Sequence, residues 1–100
     1  MNLAMGTGMN AKAYESVTVD STAGGKALTK YGRNKYAIIT VETAQVRFTL
    51  DGTAPTTTVG HLLNAGDILE LDSLEDMKSF RAIRTGATSA TIHVTYSGVA

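Results

Sequence analysis

Short runs in which apolar and polar residues alternate dominate this chain. Between Tyr14 and Asp20, Val17 and Val19 face one way while Ser16, Thr18 and Asp20 face the other, the period of two that marks a half-buried strand. Lys26 to Thr29 reads as a short edge strand, with Lys26 and Lys30 discouraging edge pairing. Tyr36 to Glu42 (Tyr-Ala-Ile-Ile-Thr-Val-Glu) is apolar on both faces and is placed centrally in a sheet. Val46, Phe48 and Leu50 then form an inward set, with Arg47 and Thr49 outward. Ile68 to Leu71 and Phe80 to Thr85 are further strands. Ala90 to Tyr96 alternates most clearly, with Ile92, Val94 and Tyr96 inward and Thr91, His93 and Thr95 outward.

The connections carry turn chemistry. Asp51-Gly52 can take the positive φ angles of a tight turn, and Asn64-Ala65-Gly66-Asp67 is a second turn. Thr53 to Thr58 is extended around Pro55, which forbids a ladder bond. Val59 to Leu63 leads into the turn at Asn64. Ser73 with an acid three residues on, Asp76, predicts a capped single helical turn. Strands at spacings of about 8–12 residues, roughly seven or eight of them, predict an all-β fold: an antiparallel β-sandwich or a jelly-roll-like barrel. Neither βαβ alternation nor an internal repeat is visible. Residues 1–12 hold small residues, Met1, Leu3, Met5 and Met9, and are read as a flexible N-terminal arm. Residues 13–100 are then a single β-sandwich domain.

Composition narrows the function classes. One hundred residues make one domain. There is no cysteine, so disulfides and thiolate metal sites are excluded. Nine basic and nine acidic residues cancel, which argues against a nucleic-acid footprint and leaves self-association electrostatically tolerated, so a homo-oligomer is expected. No window approaches the ~20 apolar residues of a membrane helix, and the start lacks a secretory pattern. A soluble protein made in the cytoplasm is expected.

Candidate chemistry is sparse. The histidines are His61 and His93, and no Gly-x-Ser-x-Gly elbow accompanies them. His93 sits on an outward strand face and reads as solvated or bonded to a neighbour. The phrase Gly60-His61-Leu62-Leu63-Asn64-Ala65-Gly66-Asp67 has turn chemistry similar to that of cupin barrels. Those proteins bind metal through a His-x-His pair and a downstream Glu, neither of which is placed so here, and a third ligand is missing. Asp67, Glu70 and Asp72 read as a solvated acidic edge, and Asp51-Gly52-Thr53 does not continue into a calcium loop. Gly24-Gly25-Lys26 lacks the rest of a phosphate loop. Lys30, Arg33 and Lys35 with Tyr31 and Tyr36 form a small basic patch, read as a solvated loop. No catalytic residue, metal ligand or cofactor is expected. The candidate partner-contact residues are Met1, Leu3, Met5 and Met9, whose adaptable apolar side chains suit a neighbouring copy, with Tyr31 and Arg33 of the basic loop.

Two stretches carry a resemblance. Arg47-Phe48-Thr49-Leu50-Asp51-Gly52-Thr53-Ala54-Pro55-Thr56, followed by Val59-Gly60-His61-Leu62-Leu63 and Gly66-Asp67, is similar to a phrase found in small structural proteins of tailed-bacteriophage particles. Arg81-Ala82-Ile83-Arg84 and a final Val94-Thr95-Tyr96 strand extend the likeness over about Val46 to Ser97. The resemblance implies a non-enzymatic virion component, and within that class a capsid decoration or cement protein bridging neighbouring capsomers. Its partner would be the major capsid protein or another virion protein, and its location the virion, after synthesis in the host cytoplasm. A tail, baseplate or fibre-associated module is the alternative within the same resemblance, and a small ligand- or glycan-binding sandwich is the alternative outside it.

Overall fold

The computed structural model describes residues 9–99. Its elements run β1 (Met9–Val19), β2 (Lys26–Ala27), β3 (Tyr36–Glu42), β4 (Val46–Thr49), β5 (His61–Leu63), β6 (Ile68–Leu71), α1 (Leu74–Ser79), β7 (Arg81–Arg84) and β8 (Ala90–Val99). They form two four-stranded sheets, ordered β1-β8-β3-β6 and β2-β7-β4-β5. Every pairing is antiparallel. The pairs nest: β4 with β5, β3 with β6, β2 with β7, β1 with β8. A long hairpin wrapped on itself in this way is the connectivity of an eight-stranded jelly roll. The all-β expectation holds, and the strand order resolves the choice that the sequence left between sandwich types.

Alternation explains the core. From the first sheet, Val19, Ile39, Val41, Ile92, Val94 and Tyr96 are almost wholly buried; Val46, Phe48, Leu63 and Ala82 meet them from the second. Burying each such large side chain contributes about 1.5–3 kcal/mol. As its two apolar faces imply, β3 is internal, with β8 on one side and β6 on the other. α1 starts where the cap predicts, with the Asp76 amide donating to the Ser73 hydroxyl at 3.2 Å. The helix drops Met77 into the core, and Phe80 follows it, both fully buried.

Several strand ends differ from the sequence reading: β8 runs on to Val99 rather than Tyr96, β7 spans Arg81–Arg84 rather than Phe80 to Thr85, and β1 and β2 also differ. β1 begins at Met9 rather than Tyr14, so Met9 to Lys12 belong to a strand. Met9 pairs with Val99, and a bulge between Ala11 and Ala13 interrupts the register. Met1, Leu3 and Met5 lie outside the described residues. β2 ends at Ala27 rather than Thr29, because the next free amides have another partner.

That partner is Glu15, on the inward face of β1 in phase with Val17 and Val19 and only 7% exposed. Its carboxylate accepts from the Thr29 amide (3.0 Å), the Thr29 hydroxyl (2.8 Å) and the Lys30 amide (2.9 Å). The Tyr96 hydroxyl of β8 donates to it as well. Burial pushes the Glu15 carboxyl up, but the bonds from Tyr96, Thr29 and Lys30 together outweigh burial and hold it below the ordinary 4.5. A carboxyl lowered by folding stabilises the fold above its unfolded pKa and loses that contribution as pH falls through the lower folded value. Glu15→Gln is therefore expected to cost about 2 kcal/mol at neutral pH. In urea denaturation over a pH series, the gap between wild type and variant should narrow only below about pH 4.5, the titration window of this carboxyl. A gap that stays constant into strong acid would contradict this assignment.

Candidate functional site

The stretch with the most specialised local chemistry is the connection from β4 to β5. Phe48 pairs with His61, so the intervening loop leaves and re-enters the second sheet at one level. Arg47 points outward, as its alternation implies, and then folds over the loop. Its Nε donates to the Thr57 carbonyl at 3.0 Å and its Nη1 to the Gly60 carbonyl at 2.7 Å. The Thr49 hydroxyl donates to the Thr53 carbonyl at 2.5 Å. The Thr56 hydroxyl accepts from the amides of Thr58 and Val59. Pro55 is fully buried. Its ring lies where a side chain on Gly25 would be, with Cγ only 2.9 Å from a Cβ built there. The loop is thus strapped across the outer face of β4 and β7, and Ile83 beneath is nearly buried.

An open depression of about 430 Å³ lies at the foot of this loop, lined by Thr49, Leu50, Asp51, Thr53, Gly60 and His61. The His61 ring tilts against Phe48 at 5.3 Å between centroids. Asp51 accepts from the Thr53 amide at 3.1 Å, and the Thr53 amide and hydroxyl hold its carboxyl below the usual carboxylate range, with His61 adding a little. The depression offers an ionised acceptor beside an imidazole, suited to a hydroxylated or cationic group of a ligand or partner. Its nearest buried hydroxyl, Thr49, is committed to a backbone carbonyl. Among the described residues no three His, Cys, Asp or Glu side chains converge on a point where a metal could sit.

The remaining candidates are spread out. Met9 is half-buried at the start of β1. Tyr31 is half-buried against the core, and Arg33 is exposed in the loop before β3. Tyr36 does not join the basic patch: its ring is buried and its hydroxyl donates to Glu70 at 2.7 Å. The loop therefore presents Lys30, Arg33 and Lys35 around a half-buried Tyr31. His93 is bonded to neighbours, as its outward position suggested. It meets Tyr14 on β1 and Glu42 on β3, a grouping that sequence reasoning missed because it needs the β1-β8-β3 register. Among the described residues no helix is long and apolar enough to cross a membrane.

No protein-family model, curated protein or solved structure matches the chain.

Gly60 is the residue on which the strapped loop turns. Its φ is +125°, and an added Cβ would lie 2.9 Å from the Phe48 carbonyl oxygen. Gly60→Ala is expected to destabilise the fold by about 2 kcal/mol, the scale of enforced backbone strain, and to speed proteolysis within the loop. Unchanged thermal unfolding would show that the loop is not anchored as described.

Proposed function

We propose that this chain is a non-enzymatic structural protein of a tailed-bacteriophage particle, acting as a capsid decoration or cement protein that bridges neighbouring capsomers. The observation that carries the reading is the fate of the residues resembling phage structural proteins. They fold as one self-supporting unit: the Arg47 strap, the Thr49 clasp, buried Pro55 and tightly approached Gly60. Each has a task in rigidity and none is arranged as a nucleophile with its base. Jelly-roll connectivity supports the reading by analogy, since that fold recurs in viral capsid proteins as well as in lectins and cupins.

Charge placement supports a repeated contact. The chain is neutral overall, yet Lys26, Lys30, Arg33 and Lys35 fall in a stretch without an acid, while Asp67, Glu70, Asp72, Glu75 and Asp76 fall in a stretch without a base. Basic and acidic stretches of this kind suit copies, or a copy and a capsomer, meeting through complementary charges. Weak contacts of this kind add through multivalency when repeated on a lattice.

Quantitative mass spectrometry of purified particles tests the proposal. Copies on the order of hundreds per particle, as a lattice of weak contacts requires, are the expected result. A handful would move the protein to the tail, and absence from particles would overturn the virion reading and favour a ligand-binding role for the depression beside His61.

A further inference from the structure

The outer face of the β1-β8-β3-β6 sheet holds a chain of three hydrogen-bonded side chains drawn from three adjacent strands. Tyr14 of β1 lies opposite Thr95, and His93 of β8 lies opposite Ser16 and Thr40. Glu42 of β3 lies opposite Thr91. Tyr14 and Glu42 therefore approach His93 along the two diagonals of the ladder, within reach of long side chains. The Tyr14 hydroxyl is 2.5 Å from His93 Nδ1, and His93 Nε2 is 2.9 Å from Glu42 Oε1. The Tyr14 and His93 rings lie nearly parallel, 16° apart.

These contacts fix the proton positions of the neutral imidazole. An ionised carboxylate only accepts, so Glu42 holds the proton on Nε2. Nδ1 then carries the lone pair, and the Tyr14 hydroxyl donates to it. The result is a carboxylate–imidazole–hydroxyl relay ending in a phenol that is 55% exposed. The relay logic is that of a base oriented by an acid and poised on a nucleophile. The flanking same-face residues of β8, Thr91 and Thr95, are uncharged. Glu70 of β6, also on this face, is bonded to Tyr36.

We propose that Tyr14 is a modification site, a phenol activated by His93 to accept an electrophilic acyl group. The Tyr14 oxygen attacks the acyl carbon while its proton passes to Nδ1, and Glu42 stabilises the imidazolium. The leaving group departs with the electron pair of its bond to that carbon and takes the proton from His93. The products are an ester on Tyr14, the protonated leaving group and a neutral His93. The other tyrosines lack this arrangement: Tyr36 and Tyr96 are buried and donate to Glu70 and Glu15, and Tyr31 is half-buried against the core. The inference is independent of the virion reading.

N-acetylimidazole, an acyl donor whose leaving group is imidazole, tests it on the full chain, with acetylated peptides quantified by mass spectrometry. Near neutral pH, Tyr14 is expected to acetylate about a hundredfold or more faster in the wild type than in His93→Gln, the lower end of what a positioned base supplies. The wild-type rate should also rise at lower pH than that of His93→Gln, which has lost the base. Glu42→Gln removes the acid but keeps the base, and should slow Tyr14 near neutral pH without stopping it; it also serves if His93→Gln fails to fold. A purely structural trio would leave the pH profile the same in every variant. That profile, or Tyr14 rates in the folded variants within about twofold of wild type, a change too small for a lost base, would overturn the proposal.

Discussion

A carboxylate inside one end of an apolar sandwich constrains everything around it. Glu15 is buried between the sheets, and an ion there is tolerable only when each lone pair is met. Tyr96 reaches it across the β1-β8 ladder, and the amides of Thr29 and Lys30 reach it from the chain between β2 and β3. These bonds, with the one from the Thr29 hydroxyl, explain three features. They fix the phase of β1, since a slip by one residue would turn Glu15 to solvent and Val17 and Val19 with it. They end β2 after two residues by taking the amides that would otherwise extend it. They also orient the Tyr96 ring, which fills that end of the core.

The two sheets finish differently on their outer sides. The second is partly covered by its own β4–β5 loop, strapped down by Arg47 and wedged by Pro55, with Leu62 of β5 left about half exposed. The first keeps its outer face open, with Tyr14 and Ile68 about half exposed and Glu42, His93 and Tyr14 linked across it. A body with one sheet face partly covered and the other open, and with basic and acidic residues grouped along its chain, is suited to holding position among neighbours. The structural role proposed here follows from that arrangement together with the resemblance carried by the strapped loop.

Much of this was legible in the sequence where local chemistry decides. Tyr36 to Glu42 and Ile68 to Leu71 are strands with the bounds that their patterns gave, and Ser73 caps the helix it announced. The misses come from non-local causes. Met9-Asn10-Ala11-Lys12 alternates apolar and polar residues, but the run is short and adjoins a stretch of small residues; pairing with β8 through a bulge makes it a strand. Glu15 was in phase with Val17 and Val19, a legible cue, but its partners lie elsewhere in the sequence. Tyr36 read as part of a basic patch because its neighbours are Lys35 and Arg33, whereas its bond to Glu70 depends on the β3–β6 register. The relay on Tyr14 spans strands that only the nested topology makes adjacent, and that topology is not a local property of any segment.

Native-state hydrogen exchange at the Thr29 and Lys30 amides tests the dependence on Glu15 most directly. Both residues are exposed at the surface and neither amide belongs to a strand ladder. If the buried carboxylate holds them, both should exchange only through opening that approaches global unfolding, as slowly as core amides of β8. Exchange at the rate of a free loop would contradict the account and leave the end of the sandwich without its anchor.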